Sequence, residues 1–263
     1  MSDLPPPLTL DPARTAIFLD FDGTLAEIVE DPTKASCPPQ VLACLQNLYS
    51  ACGGALAVVS GRAIAQLDDF LGPARLPLAG IHGLERRTAD GRRETPVIDA
   101  AAVTKLSAQA SAFVEGHKEL LCEFKIGGVA IHYRKRPDLQ FEVLRFGELL
   151  AEDHPSFRLI RGKMVVELAF GHHDKGGAIQ AFMSEKPFAG RQPVFAGDDV
   201  TDEDGLRRVG QLGGIGIKIG PGPSSAAFRL ASPRQLWAWL LAVEQDWSAS
   251  KAAGPALEQA AAG

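Results

Sequence analysis

Several sequence features that would assign the chain to a class of protein are absent. The four cysteines form no Cys-x-x-Cys pair and have no spacing with histidine that is typical of a metal site. We therefore expect them to be small apolar side chains of a reduced protein. No apolar run is long enough to cross a membrane, and the first residues lack the pattern of a secretory signal. We expect no membrane association and a cytoplasmic location.

Positive charge is also scarce. The chain has 27 Lys and Arg residues against 32 Asp and Glu residues, a net charge of −5. Nucleic-acid-binding proteins usually carry a basic excess on one face, so we expect no nucleic acid partner. The sequence has no His-Glu-x-x-His pair, and residues 213–218 match neither the dinucleotide-binding pattern nor the P-loop. Zinc catalysis and nucleotide binding are therefore disfavoured.

Apolar runs alternate with helical patterns in the first and last thirds of the chain. Thr15–Asp20 and Ala55–Val59 are continuous apolar runs, typical of strands buried on both faces of a parallel sheet. Between them, Pro39–Ala51 carries apolar residues at helical spacing. The alternation predicts an α/β fold, with a Rossmann-like core domain built around a parallel sheet from residues 1–83 and 170–263.

The middle of the chain has a different pattern. Gly128–Arg134 and Lys163–Ala169 alternate apolar and polar residues, which is typical of an antiparallel sheet with one open face. Helical patterns occur at Ala100–Glu115 and Leu139–Glu152. We therefore predict an inserted α+β cap domain with an antiparallel sheet, residues 84–169.

Two carboxylates follow the first predicted strand directly. Asp20 and Asp22 lie at its carboxyl end, which is where open α/β sheets bind ligands, and Gly23 allows a sharp turn after them. One carboxylate can attack phosphorus to form an acyl phosphate that water then cleaves. The other can donate and accept the proton. Taken alone, the motif is also compatible with an ordinary turn.

A second group of acids follows the apolar run Pro193–Ala196. The segment Gly197–Glu203 is so acidic that its carboxylates would repel one another unless a cation bound some of them. Hard oxygen ligands favour Mg²⁺, which also binds phosphate. The alternative, acids favoured at a helix N-terminus, accounts for Asp202 and Glu203 better than for Asp198.

Ser60 and Lys175 complete the set of candidate phosphate-binding groups. Ser60 follows an apolar strand and can offer its hydroxyl and nearby backbone N–H groups to a phosphate, or alternatively cap a helix. Lys175 precedes a predicted helix and offers a positive charge that would offset both the carboxylates and a phosphate.

The carboxylate pair, the serine, the lysine and the acidic loop, in this order, resemble the haloacid dehalogenase superfamily of phosphotransferases. The resemblance implies Asp20 as nucleophile, Asp22 as general acid and base, and Ser60 and Lys175 as phosphoryl-binding groups. It further implies Mg²⁺ bound by Asp20, the backbone carbonyl of Asp22, and Asp198. The inserted cap resembles the type that selects substrates in sugar phosphatases.

Shorter motifs resemble the trehalose-6-phosphate phosphatase family within that superfamily. They are Ser60–Arg62, Gly80–Gly83, Lys125 with His132–Arg134, Gly162-Lys163 with Glu167, and Gly197–Glu203. One departure is Glu167–Ala169, which lacks the arginine expected soon after the glutamate. The resemblance implies an Mg²⁺-dependent phosphoric monoester hydrolase that acts on trehalose 6-phosphate, the last step of trehalose biosynthesis. The residues expected to contact the substrate are Arg62, His82, Glu85, Lys125, His132, Arg134, Lys163 and Glu167.

The pattern of the cap agrees with a sugar ligand. Lys163 and Glu167 are four apart on a predicted strand and so share a face, as do His132 and Arg134. Charged and amide-like groups suit the many hydroxyls of a disaccharide, although such a face is also compatible with a solvated side of the sheet.

Several functions remain open at this stage. They are a phosphatase for another sugar phosphate, such as sucrose 6-phosphate or mannosyl-3-phosphoglycerate, a phosphomutase, and a catalytically silent sugar-phosphate-binding module. We expect a monomer whose partner is a small sugar phosphate.

Overall fold

A computed structural model describes residues 4–72, 75–162, 164–171 and 173–261, with side chains described as far as Lys251. Lys163, one of the predicted sugar contacts, lies outside the described residues. The helices are α1 Pro39–Ala51, α2 Ile64–Leu71, α3 Ala100–Glu115, α4 Gln140–Asp153, α5 Lys175–Met183, α6 Asp202–Gln211 and α7 Pro233–Ala261. The strands are β1 Thr15–Leu19, β2 Leu56–Val59, β3 Leu78–Gly80, β4 Glu85–Arg87, β5 Arg93–Glu94, β6 Leu121–Lys125, β7 Gly128–His132, β8 Phe157–Gly162, β9 Val165–Phe170, β10 Gln192–Gly197, β11 Ile215–Ile219 and β12 Phe228–Leu230.

The larger sheet has eight strands in the order β12-β11-β10-β1-β2-β3-β4-β5. The strands from β12 to β3 are parallel, and the β4–β5 hairpin continues the sheet in the antiparallel sense. Every residue of β1 and β2 is buried, because helices cover a parallel sheet on both faces. The carboxyl ends of β1, β2 and β10 therefore meet at one edge of this sheet.

Apolar side chains from the strands and from the helices form the core of the larger sheet. The ring of Phe18 on β1 stacks on Phe188 with centroids 5.3 Å apart and lies 6.0 Å from Phe182 on α5. All three rings are fully buried, and burial of each side chain contributes about 2 kcal/mol. This packing fixes β1 relative to α5, the two elements that carry Asp20 and Lys175 at their ends.

The smaller sheet, here called the cap sheet, is antiparallel with strand order β6-β7-β9-β8. Its own hydrophobic core joins strand residues such as Val129 and Val166 to Leu106 of α3 and Val143 of α4. The opposite face carries Ala130, with the polar residues described below. One face is thus apolar and covered by helices, as the alternating sequence pattern predicts.

The predicted fold class, an α/β core with an antiparallel second sheet, is confirmed. The β4–β5 hairpin lies inside the segment predicted as cap, residues 84–169, yet it hydrogen-bonds to the larger sheet. The chain leaves the larger sheet after Glu94. Both predicted domain boundaries stay predictions. Among the described residues, no helix has the length and apolarity needed to span a bilayer.

Two chain segments connect the larger sheet with the cap sheet, one after β5 and one after β9. A cleft of about 620 Å³ lies beside them, lined by Thr95 and Pro96 from the first connection and by His173 and Asp174 from the second. Gly83 approaches the second connection closely, because a β-carbon there would lie 3.0 Å from the carbonyl oxygen of Asp174. The two connections are here called the hinge region, because any movement of the cap sheet relative to the larger sheet would have to turn about them.

Candidate active site

Asp20 lies immediately after β1 and is 3% exposed. Lys175, the first residue of α5, is equally buried, and its Nζ donates to Asp20 Oδ1 at 2.7 Å. The same Nζ donates to Asp202 Oδ1 at 2.6 Å. A buried ammonium group without partners would be strongly destabilising, so the two carboxylates and the lysine require one another. The structure therefore brings Asp20, Lys175 and Asp202 together in one buried group.

Asp202 also organises the acidic loop that follows β10. Its Oδ2 accepts the backbone N–H groups of Asp198 and Asp199 at 3.0 and 2.9 Å. Asp202 is fully buried at the start of α6. Both of its oxygens are therefore engaged, one with Lys175 and one with the loop. The loop conformation that results brings Asp198 towards Asp20.

The carboxylates of Asp20, Asp198 and Asp202, here called the carboxylate cluster, each have an oxygen within 4.8 Å of the other two. Burial and the neighbouring Asp202 raise the pKa of Asp20 well above its ordinary value, although Lys175 lowers it. Burial and Asp202 also raise the pKa of Asp198, to about 7. The site therefore has a local excess of negative charge that one lysine does not neutralise.

The chemistry of the carboxylate cluster fits a divalent cation. Asp198 Oδ1 is buried and has no hydrogen-bond partner, which leaves a lone pair available to a metal. A nearby cation would favour the ionised form of each carboxylate and reverse the pKa shifts that burial causes. Carboxylate oxygens suit hard cations such as Mg²⁺ and Ca²⁺. The cluster is therefore a candidate metal site.

Asp22 is paired with a cationic side chain through both of its carboxylate oxygens. Arg62 donates from Nε to Asp22 Oδ2 and from a terminal nitrogen to Asp22 Oδ1, both at 2.6 Å. The guanidinium also donates to the carbonyl oxygen of Pro32 and lies 4.7 Å from the ring centroid of Phe70. Arg62, predicted to contact the sugar, is thus paired with the predicted general acid. A forked pair of this kind holds both partners in one geometry.

Ser60 and His82 lie next to each other at the edge of the larger sheet. Ser60 follows β2, and its Oγ accepts the backbone N–H of Arg62 at 3.2 Å. Its carbonyl oxygen accepts the N–H of His82 at 2.9 Å. The His82 ring packs on Gly61, where a β-carbon would lie 2.7 Å from the ring. Ser60 is not a helix N-cap, because α2 begins only at Ile64 with Ala63 as its N-cap residue.

Glu167 on β9 forms the centre of a second polar group, on the open face of the cap sheet. Lys125 donates to Glu167 Oε2 at 2.5 Å, and His82 Nε2 lies 3.8 Å from the same oxygen. Burial raises the pKa of Glu167, but the contacts with His82 and Lys125 lower it to about 2. Three of the predicted sugar contacts are therefore brought together. Because His82 follows β3 of the larger sheet, this group joins the two sheets.

Three other predicted sugar contacts have different surroundings. His132 Nε2 lies 2.9 Å from Glu123 Oε2 on the cap sheet, and Arg134 is exposed in the turn after β7. The strand ends at His132, so the predicted shared face of His132 and Arg134 is not formed. Glu85 accepts the backbone N–H of Ile64 at 2.5 Å and so caps the start of α2.

Two contributors to the site were missed by reasoning from the sequence. Lys218 on β11 is 5% exposed, and its ammonium group donates to the backbone carbonyl of Asp198. Glu123 on β6 pairs with His132, and this hydrogen bond lowers the pKa of Glu123. A lysine in the middle of an otherwise apolar strand, as in Ile215–Ile219, is the signal by which Lys218 could have been found.

Comparison with known proteins assigns the fold and the family. The family model described as trehalose-phosphatase matches residues 18–234. The chain is 41% identical over 237 residues to the trehalose-6-phosphate phosphatase of Escherichia coli K12, covering 89% of each protein. These values are high enough to show common ancestry along most of the chain. The names of the family and of this relative describe a phosphoric monoester hydrolase, which is the enzyme class predicted from the sequence.

Solved structures show the same fold at lower identity. The C-terminal domain of a Candida albicans trehalose-6-phosphate phosphatase superposes with a TM-score of 0.80 at 22% identity, covering 89% of this chain and 93% of that one. A phosphatase of the haloalkanoate dehalogenase superfamily from Bacteroides thetaiotaomicron gives 0.60 at 12% identity, covering 87% and 93%. These likenesses confirm the predicted fold class. The chain belongs to the trehalose-phosphatase family.

Proposed function

We propose that the chain hydrolyses trehalose 6-phosphate to trehalose and phosphate through an aspartyl phosphate on Asp20, and that it requires Mg²⁺. The observation that carries the proposal is the carboxylate cluster at the end of β1, with Lys175 bonded to Asp20 and Asp202. Membership of the trehalose-phosphatase family supports the substrate. The cluster supports the mechanism.

The first step forms a bond between a carboxylate oxygen of Asp20 and phosphorus. Asp20 must be ionised to attack, and the ammonium group of Lys175 at 2.7 Å favours that form. The bond between phosphorus and the 6-oxygen of the sugar breaks, and Asp22, which takes up a proton from solvent when it separates from Arg62, gives that proton to the 6-oxygen. Asp22 has to separate from Arg62 to do this, because both of its oxygens accept hydrogen bonds from the guanidinium group in the structure.

The second step restores Asp20. Asp22, now ionised, accepts a proton from water as the water oxygen attacks phosphorus and the acyl–oxygen bond to phosphorus breaks. Phosphate leaves and Asp20 is again a carboxylate. During both steps the Ser60 hydroxyl and Lys175 bind phosphoryl oxygens.

Asp20, the backbone carbonyl of Asp22, and Asp198 would hold the Mg²⁺ ion. When bound, the ion supplies positive charge that stabilises the phosphoryl oxygens as negative charge develops on them. Asp202 has both oxygens engaged by Lys175 and by two backbone N–H groups, so we assign it to holding the loop and the lysine. Because these bonds engage both of its oxygens, we do not count Asp202 among the metal ligands.

The sugar would lie between the carboxylate cluster and the open face of the cap sheet. Glu167, Lys125 and His82 supply a fixed acceptor and donors there, and Glu167 Oε1 is buried without a partner. An unpaired buried carboxylate oxygen is costly, so a sugar hydroxyl that donates to it is favoured. This supports a sugar phosphate over a small phosphate ester.

The substrate is tested by measuring phosphate release from trehalose 6-phosphate, sucrose 6-phosphate, mannosyl-3-phosphoglycerate and glucose 6-phosphate, with Mg²⁺ and after chelation. We expect trehalose 6-phosphate to be hydrolysed with the highest kcat/KM, and chelation to abolish turnover. Preference for another ester would reject the substrate, and binding without phosphate release would favour a silent binding module. Transfer of phosphate to a second sugar would indicate a phosphomutase.

The nucleophile is tested by Asp20→Asn, because an amide attacks phosphorus poorly and carries no charge. We expect the variant to lose nearly all turnover while keeping its fold. Asp69→Asn, an exposed change on α2, is the matched control and should keep the wild-type rate. Retention of about a tenth of the wild-type rate by Asp20→Asn would reject the assignment.

The monomeric state and the cytoplasmic location stay predictions from the sequence. Light scattering of the purified chain across a range of concentrations measures the first.

A further inference from the structure

Arg158 joins the cap sheet to the core beside the hinge region. It lies on β8, and its NH2 nitrogen donates to the carbonyl oxygen of His173 at 2.9 Å. The NH1 nitrogen lies 3.6 Å from Asp204 Oδ2 on α6. One guanidinium on the cap sheet therefore contacts two separate segments of the core.

Both segments carry members of the candidate active site. His173 precedes Lys175 by two residues, and Asp204 follows Asp202 by two residues in the first turn of α6. The two segments also pack directly on each other, because a β-carbon at Gly176 would lie 2.6 Å from the carbonyl oxygen of Asp204. Arg158 thus binds the point where the start of α5 meets the start of α6.

The cross-strand neighbour of Arg158 leaves room for this contact. Arg158 pairs with Ala169 of β9 in the register of the cap sheet. The alanine side chain ends at its β-carbon and so takes up little space beside Arg158. The Arg158 side chain is 26% exposed, and its Nε is buried without a partner. A planar guanidinium can serve two acceptors in fixed directions, which an ammonium group on a flexible chain does less well.

We propose that Arg158 is a positioning residue that fixes the cap sheet relative to the carboxylate cluster, so that a sugar bound by the cap presents its phosphate to Asp20. This inference rests on the proposed function. Arg158 touches neither Asp20 nor the phosphate site. Its effect falls on substrates that need both the cap and the core, and a phosphate ester too small to contact the cap is little affected.

The test is Arg158→Met, which keeps most of the side-chain volume and removes both polar contacts. Arg161→Met is the matched control: it is on the same strand, its side chain is 58% exposed, and it pairs with Glu148 within the cap at 2.8 Å. kcat/KM is measured for trehalose 6-phosphate and for p-nitrophenyl phosphate, a small aryl ester. We expect Arg158→Met to lower the ratio of the two values about tenfold, and Arg161→Met to leave it unchanged.

The same ratio also provides the outcomes that would overturn the inference. Equal losses with both esters would show that Arg158 acts on folding or on the carboxylate cluster, and an unchanged ratio would show that it does not position the cap. If Arg158→Met does not fold, Arg158→Lys is measured instead, and its ratio must also fall. If wild type prefers another sugar phosphate, the proposed substrate is wrong, and the ratio is measured with that ester.

A double-mutant cycle identifies the core partner. Asp204→Ala removes the carboxylate that faces Arg158 and should lower the ratio in the same direction. The double variant should be no worse than Arg158→Met alone, because the contact that Asp204→Ala breaks is already lost in Arg158→Met. Additive losses would overturn the proposed coupling through Asp204.

Discussion

The Asp198 carboxylate occupies space that is free only because residue 23 is a glycine. Gly23 has a φ of +78°, a conformation that glycine adopts without strain, and a β-carbon there would overlap the carboxylate of Asp198. The turn after Asp22 therefore brings backbone into contact with the acidic loop across the end of the sheet. The close approach of the two strand ends requires glycine at this residue.

Gly23→Ala is expected to displace the Asp198 carboxylate and to lower kcat/KM about a hundredfold, the cost of a misplacement of roughly 1 Å in a catalytic group. Gly190→Ala is the matched control, because Gly190 also has a φ of +78° but has nothing within 4 Å of an added β-carbon. Both variants carry the same backbone strain. Equal losses of activity would show that strain, and not contact with Asp198, is responsible.

At the scale of residues, the sequence predicts which side chains are candidates for catalysis better than it predicts which side chains they contact. Asp20 and Asp198 were predicted because they are carboxylates that follow buried strands, and Lys175 was predicted because its positive charge can offset them. The Arg62–Asp22 pair and the Glu85 cap of α2 join residues 40 and 21 positions apart. No local pattern encodes contacts at such separations, since a charged residue alone does not indicate which opposite charge it will meet.

At the scale of elements, Asp202 joins α5, α6 and the loop after β10. Its two oxygens bind Lys175 at the start of α5 and two N–H groups of the loop, while its own backbone begins α6. The sequence favoured a helix N-terminus as the explanation of Asp202. The structure places it there and gives it these bonds as well.

Asp202→Asn is expected to lower the free energy of unfolding by about 3 kcal/mol, because it leaves Lys175 with one carboxylate in a buried site. The new amide group would also place its N–H donor opposite another donor, either the Lys175 ammonium group or the N–H groups of the loop. Urea unfolding of the variant, with Asp69→Asn as the exposed control, measures the loss. An unchanged free energy would mean that Asp20 alone compensates the lysine.

Strand prediction succeeded where burial is complete on both faces. The runs that became β1, β2 and β10 are continuously apolar, because parallel strands covered by helices have no polar side. No sequence pattern predicted β6 or β8, the edge strands of the cap sheet. In β8, Leu159 and Ile160 are adjacent apolar residues, which breaks the period of two, since Ile160 lies on the face with Glu167.

At the scale of the whole molecule, Glu167 links stability to pH. It is 6% exposed and lies between His82, from the larger sheet, and Lys125 on the cap sheet. Its pKa is about 2 in the folded protein against an ordinary value of 4.5. A carboxyl group with a depressed pKa stabilises the folded state above its unfolded pKa, and the stabilisation is lost as the pH falls towards the folded pKa.

Wild type should therefore lose about 2 kcal/mol of unfolding free energy through this group between pH 5 and pH 3, and Glu167→Gln should lack that part of the pH dependence. Urea unfolding at both pH values measures the difference. Glu152→Gln, an exposed change at the end of α4, is the control and should follow the wild-type pH dependence. Identical pH dependence in all three proteins would contradict the role of Glu167.

The cleft of about 620 Å³ beside the two connections has a mechanical consequence. Chain segments that border open space can rotate about their backbone bonds while giving up few van der Waals contacts. Resistance to such rotation then comes from the contacts on either side of the hinge, at His82 and at Arg158. The larger sheet and the cap sheet have separate hydrophobic cores, so a rotation about the two connections would leave both cores packed.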